Sequence, residues 1–510
     1  METLLNLKLS QLCICIFLAL VVSLAHLLVG SPVFIKLYNV PTGFFGSLLS
    51  PVESYVSERD NFGIIIDAGS SGSRVHIFKW NDNDILNSIS EISRLKITPG
   101  ISHYIAYDEP GVAAGESLHE LLKHAEKSIP NEFHASTTIS LKATAGMRLL
   151  EREDQIRILH GVRKKLKSSS FLFESSNARV LGGTSEALFA WITVNVGKKT
   201  ITNMSVIEDP MYENMEKTYG IIELGGASSQ IVQPSNDIFE ARHGLRHLKV
   251  LYGTQRHPFC LYAVSRLHFG LHRAYDLLLE LFLKTAHKSA SDDEGDVFPC
   301  AFAGDPRVLG DFNNDKRIKV KSNYHQCKRL VKHLVRKMEG EDISKLGGNK
   351  RKMLSQIQKI NPVSYYALDN FAKLITIMAK SNLRLPNDWD EKANEIVVTD
   401  MNKIVENGKR LCNDFNYSSY MNAIGNPKKV KLKRKACFGV VYMDILLRNL
   451  YNVLPSEKHP ITFAHRIDNE VDAGWTLGAM VSDIYIRKMK LDDDADDWDE
   501  ADNLVNPLHK

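Results

Sequence analysis

The sequence has few cysteines and no strong excess of either charge. Its 510 residues include seven cysteines, and a net charge of +4 does not give the basic surface that nucleic-acid binding requires. The five cysteines after Cys15 contain no CxxC pair, and the histidines show no HExxH pattern. These absences argue against structural zinc, thioredoxin-type redox chemistry and a zinc protease. The basic run 428–435 is local and is interpreted as a solvated loop or strand edge.

Long apolar runs are also scarce. Residues 12–29 form the only one, and it is interrupted by Ser23 and His26. The length of this run is near the minimum for a membrane-spanning helix. We predict a cytoplasmic tail at 1–11, a transmembrane signal anchor at 12–30 and a stem at 31–59. The alternative is a signal peptide cleaved at the small residues 23–25, although the apolar run continues past them. Both interpretations place the remaining chain, including an acidic tail at 491–510, in the secretory lumen.

The cysteines fit an oxidising compartment. Their spacing favours two disulfides, Cys300–Cys327 and Cys412–Cys437. Cys260 would then be free, although five cysteines allow other pairings. Glycosylation sequons begin at Asn203 and Asn416, in agreement with a lumenal chain.

Two stretches, residues 64–74 and 220–230, repeat one layout. Each has an apolar run, a carboxylate (Asp67 or Glu223), a Gly/Ser turn and a return to β-branched residues. The apolar runs predict buried strands, and the turns allow backbone N–H groups to converge on phosphate oxygens. The carboxylates can hold a divalent cation through water. One such hairpin is a weak signal, but two predict similar halves that close on one polyphosphate.

Two further segments carry candidate site residues. Residues 143–148 form a small-residue turn between a strand and a helix, where Thr144 and free N–H groups can contact phosphate. An ordinary strand-to-helix junction is the alternative. Glu186 follows a Gly-rich loop at the first turn of a predicted helix, either as a capping group or as a general base. Residues 362–378 also predict a helix, and the alternation of strands with helices predicts an α/β fold.

Five ordered motifs resemble those of the ectonucleoside triphosphate diphosphohydrolases, the family of apyrases and Golgi nucleoside diphosphatases. They are residues 67–74, 143–148, 183–191, 223–230 and 475–480. The resemblance implies a two-domain actin/Hsp70-like (ribonuclease H-like) α/β fold with the active site in the interdomain cleft. We assign 60–180 and 466–490 to lobe I and 181–465 to lobe II. The proposed cysteine pairs also resemble disulfides of the family.

The resemblance implies hydrolysis of the terminal phosphate of nucleoside di- and triphosphates with Ca²⁺ or Mg²⁺. Glu186 is similar to the general base, Ser228 and Gln230 to the groups that position water and the metal shell, and Asp67 and Glu223 to the carboxylates that hold the hydrated cation. The residues that match phosphate contacts are Ser70, Ser71, Gly72, Ser73, Thr144, Gly225, Gly226 and Ala227. The candidates for a base pocket are Tyr365, Tyr366 and Trp475.

The sequence departs from the family pattern at Glu223, where Asp is usual, and at Ala187, where Gly is usual. Residues 73–76 and the single predicted anchor are similar to the lumenal diphosphatase branch. We therefore expect a Golgi or ER membrane enzyme acting on UDP and GDP. The alternatives are a cell-surface or secreted apyrase acting on ATP and ADP, an inactive nucleotide-binding homologue, and a polyphosphatase- or sugar-kinase-like member of the wider fold. Base preference and oligomeric state do not follow from the sequence.

Overall fold

The computed structural model describes most of the chain after residue 59. The described ranges are 60–201, 218–235, 245–252, 255–286, 296–305, 308, 318–345, 363–380, 393–424 and 430–491. The predicted anchor, stem and acidic tail, the sequon at Asn203 and the side chain of Cys260 lie outside them. Within the described ranges, no helix is both long enough and apolar enough to span a membrane.

A five-stranded sheet carries the first of the two repeated stretches. Its strands are β1 (Asp60–Gly69), β2 (Gly72–Asn81), β3 (Ser90–Ile97), β4 (Thr138–Ala143) and β5 (Ala178–Val180). They lie in the order β3-β2-β1-β4-β5. β1 pairs antiparallel with β2 and parallel with β4. The Ile-rich run of β1 is fully buried, as expected for a central strand covered on both faces.

A seven-stranded sheet carries the second stretch. Its strands are β6 (Gly220–Leu224), β7 (Ser228–Pro234), β8 (Leu245–Tyr252), β9 (Gln255–Leu267), β12 (Tyr365–Asp369), β13 (Glu395–Val398) and β14 (Ile461–Ala464). They lie in the order β13-β14-β12-β6-β7-β9-β8. β6 pairs antiparallel with β7 and parallel with β12, so the local arrangement of β1, β2 and β4 recurs.

The described part of the chain also contains two small ribbons, fourteen α-helices, three short 3₁₀ helices and one π-helical turn. The ribbons are β10 (Val297–Phe298) with β11 (Lys319–Val320), and β15 (Arg466–Ile467) with β16 (Val471–Asp472). The helices are α1 (Ile85–Ser88), α2 (Pro110–Glu116), α3 (His119–Ser128), α4 (Ala145–Arg148), α5 (Arg152–Lys167), α6 (Gly183–Gly197), α7 (Leu271–Ala286), α8 (Tyr324–Lys345), α9 (Asn370–Lys380), α10 (Met401–Asp414), α11 (Tyr417–Ile424), α12 (Val430–Arg434), α13 (Ala436–Ile445) and α14 (Thr476–Leu491).

Two large hydrophobic cores lie on the two faces of the seven-stranded sheet. One core joins the sheets: it contains Ile65 of β1, Val232 of β7 and most of α6, whose side chains are buried on every side. The other lies on the far face of the seven-stranded sheet and is closed by α7, α8, α9, α10 and α13. Because α6 is apolar all round, it can only be stable between other elements. This position brings its first turn to the ends of strands from both sheets.

Both predicted disulfides are formed. Cys300 is bonded to Cys327 and Cys412 to Cys437, and all four residues are fully buried in the second core. Each bond closes a loop of about 25 residues, so each reduces the conformational entropy of the unfolded chain. The predicted oxidising compartment agrees with these bonds.

The helix predicted over residues 362–378 is wrong in its first part. Residues Tyr365–Asp369 form β12, and α9 begins only at Asn370. Successive β12 side chains enter opposite cores, with Tyr365 and Ala367 in one and Tyr366 and Leu368 in the other. A strand buried on both faces has a continuous apolar run, which periodicity does not distinguish from a buried helix.

Candidate active site

The first hairpin ends in an exposed turn, Ser70 and Ser71, which we call the first loop. Gly69 and Gly72 close it as a register pair between β1 and β2. The loop is supported by the segment after β3: a Cβ on Gly100 would lie 2.2 Å from the Gly69 carbonyl oxygen. Only glycine permits this backbone approach, which fixes the loop against the chain.

The second hairpin ends in residues 225–227, which we call the second loop. The N–H of Gly225 donates to the Ser228 carbonyl at 2.9 Å and closes the turn. The carbonyl groups of Gly225 and Gly226 accept bonds from the N–H groups of Leu271 and His272, at 2.9 and 3.0 Å. The start of α7 therefore engages the carbonyl side of the loop.

The two loops meet. A Cβ on Gly226 would lie 2.5 Å from the Ser70 hydroxyl oxygen, so the second loop approaches the first with no room for a larger residue. The end of β4 joins them: the Thr144 N–H donates to the Ala68 carbonyl at 3.1 Å. A Cβ on Gly146 would lie 2.7 Å from the Ser70 Cα. The structure thus brings together three segments that the sequence separates by about 75 residues each.

Glu186 stands at the first turn of α6 and is buried. Its carboxylate accepts a hydrogen bond from Arg148 Nη1 at 2.9 Å. The same guanidinium donates to the Ser228 hydroxyl at 3.1 Å and to the Leu181 carbonyl at 2.8 Å. The ion pair therefore lies at the end of the second loop, and Arg148 links the acid of one motif to the serine of another.

Burial raises the pKa of Glu186, while the Arg148 guanidinium lowers it; the net pKa is above the ordinary value. Ser228 also accepts a hydrogen bond from Gln230 Nε2 at 2.8 Å. The Gln230 Oε1 atom is buried and has no hydrogen-bond partner among the described residues. Glu186, Ser228 and Gln230 form one connected group.

The two hairpin carboxylates have different surroundings. Asp67 accepts a hydrogen bond from Arg74 at 2.7 Å. Glu223 has a buried Oε2 atom with no hydrogen-bond partner in the described part of the chain. Burial raises the pKa of Glu223 well above its ordinary value, and the charges of Glu186, Asp369 and Asp67 raise it further. Three of these four carboxylates are buried and Asp369 is partly exposed, and orphaned acceptors in such a cluster fit a divalent cation.

Sequence reasoning missed Asp369, the last residue of β12. It lies in register with Leu224, next to Glu223, and takes a left-handed φ of +53° that costs a non-glycine residue free energy. Its carboxylate pairs with Lys373 and accepts a bond from Asn370 at 3.0 Å. Like Asp67 and Glu223, Asp369 lies at the end of an apolar strand. Because residues 362–378 were predicted to be a helix, this similarity was not recognised from the sequence.

Arg148 was also missed as a site residue, although it closes the second motif. It is the only described side chain that bridges Glu186 and Ser228 directly. Arginine can do this because its planar guanidinium presents several donors at fixed angles. The only indication of this role in the sequence is the run of small residues before Arg148, which allows the α4 turn to lie close to the first loop.

Tyr365, Tyr366 and Trp475 are not brought to the loops. Tyr365 donates a hydrogen bond to Gln233 within the core, and the Tyr366 ring packs edge-on against Tyr219 at 5.1 Å. Trp475 is buried in the core that joins the sheets. These rings are core side chains, and the expectation that they line a base pocket has no support in their positions. Asn416, in contrast, lies on the surface, as its sequon requires.

We expect Arg148→Met to lower kcat by about 10²-fold, because Glu186 and Ser228 lose the group that holds them together. Without the guanidinium the pKa of Glu186 rises further, so the acidic limb of the kcat/KM profile should move to higher pH. Initial rates between pH 5 and 9 measure both effects. Arg152→Met, at the exposed start of α5, is the control. An unshifted acidic limb in a folded Arg148→Met variant would contradict the assigned contact.

Comparison with known proteins gives the chain its family. The GDA1/CD39 (nucleoside phosphatase) family matches residues 53–494. Probable apyrase 6 of Arabidopsis thaliana is 34% identical over 252 residues, which cover 48% of this chain and 42% of that protein. The Golgi apyrase of Saccharomyces cerevisiae is 31% identical over 312 residues, which cover 54% of this chain and 48% of that protein. The aligned part of the chain thus spans just under half the length of either relative.

A solved structure supports the fold. The nucleoside triphosphate hydrolase of Neospora caninum superposes with a TM-score of 0.53 at 14% identity, covering 83% of this chain and 92% of that one. At this identity the likeness concerns the fold, and it confirms the α/β fold class expected from the sequence. The matched residues 53–494 include all five motifs and both sheets, and the chain belongs to the GDA1/CD39 (nucleoside phosphatase) family.

Proposed function

We propose that this protein hydrolyses the terminal phosphate of nucleoside di- and triphosphates, with a divalent cation. The observation that carries the proposal is the contact between the two loops, beside a buried Glu186 that is hydrogen-bonded, through Arg148, to Ser228. A phosphoryl group placed between the loops would meet N–H and hydroxyl donors from both sheets. Phosphoryl transfer to water consists mainly of positioning and charge neutralisation, which such a site can provide.

In the proposed mechanism, Glu186 accepts a proton from the attacking water. A raised pKa brings the carboxylate closer to neutral pH, where a general base is most effective. Arg148 holds the carboxylate in place and keeps the pKa from rising further. Ser228 and Gln230 orient the water from the side of the second loop, in the manner of hydrogen-bonded positioning groups.

Ser70, Ser71 and the backbone around Gly72 and Ser73 would contact the phosphoryl oxygens from one side. Thr144 and residues 225–227 would contact them from the other. The α4 helix after Thr144 is only four residues long, so we assign phosphate contact to Thr144 itself and to its loop rather than to a helix dipole. Hydrogen-bond donors that are in place before the reaction begins would then stabilise the negative charge on the transferred phosphoryl group.

Apyrases of this family depend on a divalent cation, and we propose Ca²⁺ or Mg²⁺ here. The unpartnered acceptors of Glu223 and Gln230, with Asp67 nearby, are the residues that would hold it, through water. When bound, such an ion neutralises phosphate charge and fixes its geometry. Glu223 is one methylene longer than the usual aspartate, and its closeness to three other carboxylates supports a cation at this point.

We propose UDP and GDP in the lumen of the Golgi or ER as the physiological substrates. Support comes from the predicted N-terminal anchor, the sequons and the disulfides, and from the relative named as a Golgi apyrase. Both the membrane anchor and its lumenal orientation belong to this proposal. A cell-surface or secreted apyrase acting on ATP and ADP is the alternative, and it would place the same chemistry in another compartment.

The proposal predicts a defined substrate and cation pattern. The purified full chain should release phosphate from UDP, GDP, UTP and ATP with Ca²⁺ or Mg²⁺. We expect EDTA to lower the rate of phosphate release by about 10²-fold or more. Without the cation, the carboxylates of the site repel the phosphates of the substrate. A phosphate-release assay with tripolyphosphate as comparison measures this. Release from tripolyphosphate but from no nucleotide would contradict the assignment.

A further inference from the structure

Three polar side chains form a row across the seven-stranded sheet, on the face that α6 covers. Gln230 of β7 is the direct cross-strand neighbour of Glu223 on β6 and of Ser265 on β9. Directly paired residues of antiparallel strands project to the same face of a sheet. The preceding row lies in the core that joins the sheets and consists of Ile221, Val232 and Ala263. Ser265, which has no role in the proposed mechanism, therefore stands beside a group that positions water.

Ser265 also lies against the first turn of α6. A Cβ on Gly183, the first residue of that helix, would lie 2.3 Å from the Ser265 hydroxyl oxygen and 3.6 Å from the Arg148 Nη2 atom. Only glycine at position 183 leaves room for this hydroxyl. The serine of β9 and the guanidinium that binds Glu186 thus lie on the same side of the helix start.

The side-chain amide of Gln230 is only half satisfied. Its Nε2 atom donates to the Ser228 hydroxyl at 2.8 Å, but its buried Oε1 atom has no hydrogen-bond partner among the residues that the structure describes. A buried acceptor without a donor costs folding free energy. Of the two cross-strand neighbours of Gln230, an ionised Glu223 can only accept a hydrogen bond, whereas the Ser265 hydroxyl can donate one.

The orientation of this amide decides what Ser228 can do. The Ser228 oxygen accepts hydrogen bonds from Gln230 Nε2 and, at 3.1 Å, from Arg148 Nη2. These two bonds use both lone pairs of the oxygen, so the O–H proton is directed away from them and can be donated to water or to a phosphoryl oxygen. With the amide reversed, the Gln230 Oε1 atom would face Ser228 and would accept that proton instead.

On the basis of the proposed function, we propose that Ser265 is a positioning residue of the hydrolytic site. Its hydroxyl donates to Gln230 Oε1, directly after rotation about the Cα–Cβ bond or through one water molecule, and so keeps Nε2 toward Ser228. Ser265 itself contacts neither the phosphoryl group nor the attacking water. Because an amide oxygen has two lone pairs, this bond leaves Gln230 able to hold a water of the cation shell.

A double-mutant cycle separates this role from a packing role. At saturating cation, we expect Ser265→Ala to lower kcat for UDP about tenfold, the effect of losing one hydrogen bond, with KM changed less than about twofold. In a Gln230→Met background, which has no amide, Ser265→Ala should lower kcat by less than about twofold further. A side chain that only packs against Gly183 would lower kcat by the same factor in both backgrounds.

Thermal unfolding repeats the cycle without turnover. Ser265→Ala removes the donor to the buried Oε1 atom, so we expect the unfolding temperature to fall by about 1–2 °C in the wild-type background. In the Gln230→Met background, which lacks this acceptor, the unfolding temperature should not change.

Ser93→Ala is the matched control. Ser93 is a strand serine that is half-buried like Ser265, and its hydroxyl is hydrogen-bonded to His124 Nε2 at 2.8 Å, away from the site. Its replacement should leave kcat unchanged. It should lower the unfolding temperature equally in the wild-type and Gln230→Met backgrounds, because its hydrogen bond does not involve Gln230.

Two results would overturn the assignment: equal lowering of kcat by Ser265→Ala in both backgrounds, or an unchanged kcat and unfolding temperature in the wild-type background. Absence of phosphate release by the wild-type chain would instead contradict the proposed function. In that case the unfolding cycle still decides whether Ser265 acts on Gln230.

Discussion

Glu186→Gln is expected to lower kcat by about 10²–10⁴-fold with any nucleotide, the usual contribution of a general base. Glutamine keeps the size of the side chain and an oxygen for Arg148, but it cannot accept a proton from water. KM should change little, because Glu186 is assigned to the water and not to the phosphate chain. Steady-state phosphate release at saturating cation measures both parameters.

The control for this change is Glu132→Gln. Glu132 is exposed and lies near the start of β1, at the opposite end of the strand from Asp67. Its replacement should leave kcat unchanged. Thermal unfolding should confirm that both variants are folded. Equal rates for wild type and Glu186→Gln would remove the proposed mechanism, and a catalytic base would then have to be sought among the other buried carboxylates.

Glu223→Gln should alter stability and cation binding together. Burial and three neighbouring carboxylates hold the pKa of Glu223 well above 4.5 in the folded chain. A carboxyl whose pKa is raised on folding contributes stability below its unfolded pKa, and this stability is lost as pH rises through the folded pKa. In EDTA near pH 8, the glutamine variant should therefore unfold at a higher temperature than the wild type.

Addition of Ca²⁺ or Mg²⁺ should reverse that order. A ligand at 100 times its Kd stabilises the folded state by about 2.7 kcal/mol, and the wild type should gain this increment. Glu223→Gln should gain much less and should lose most cation-dependent phosphate release. Calorimetric scans with EDTA and with each cation, at pH 5 and pH 8, make the comparison. Identical cation-induced shifts in both proteins would exclude Glu223 from the cation site.

Several features could be predicted from sequence because they depend on short segments. The strand, carboxylate and Gly/Ser turn lie within about ten residues in each hairpin, so their local form follows from backbone preferences. The spacing of the cysteines favoured the two disulfides that formed, although other pairings remained open. The family resemblance rested on the same short motifs, and the match over residues 53–494 confirmed it.

Other features could not be predicted because they depend on long-range register. The bond between Arg148 and Glu186 joins residues 38 positions apart, and that between Arg148 and Ser228 joins residues 80 apart. Asp369 reaches Glu223 only because β12 pairs in parallel with β6. The burial of Tyr365, Tyr366 and Trp475 in the cores could not be predicted for a related reason: whether an aromatic ring faces a cleft or a core depends on which face its element presents.

The sequence alone predicted two Gly/Ser turns after apolar strands and the acids beside them, and it favoured the two disulfides that formed. The roles of Ser228 and Gln230 were implied by the family resemblance. The tertiary structure decided that the turns approach each other at Ser70 and Gly226 and that Arg148 joins Glu186 to Ser228. The physical reason is the range of the interactions. Turn conformation is set by neighbours along the chain, whereas the convergence of charges is set by sheet pairing and by the core that packs around α6.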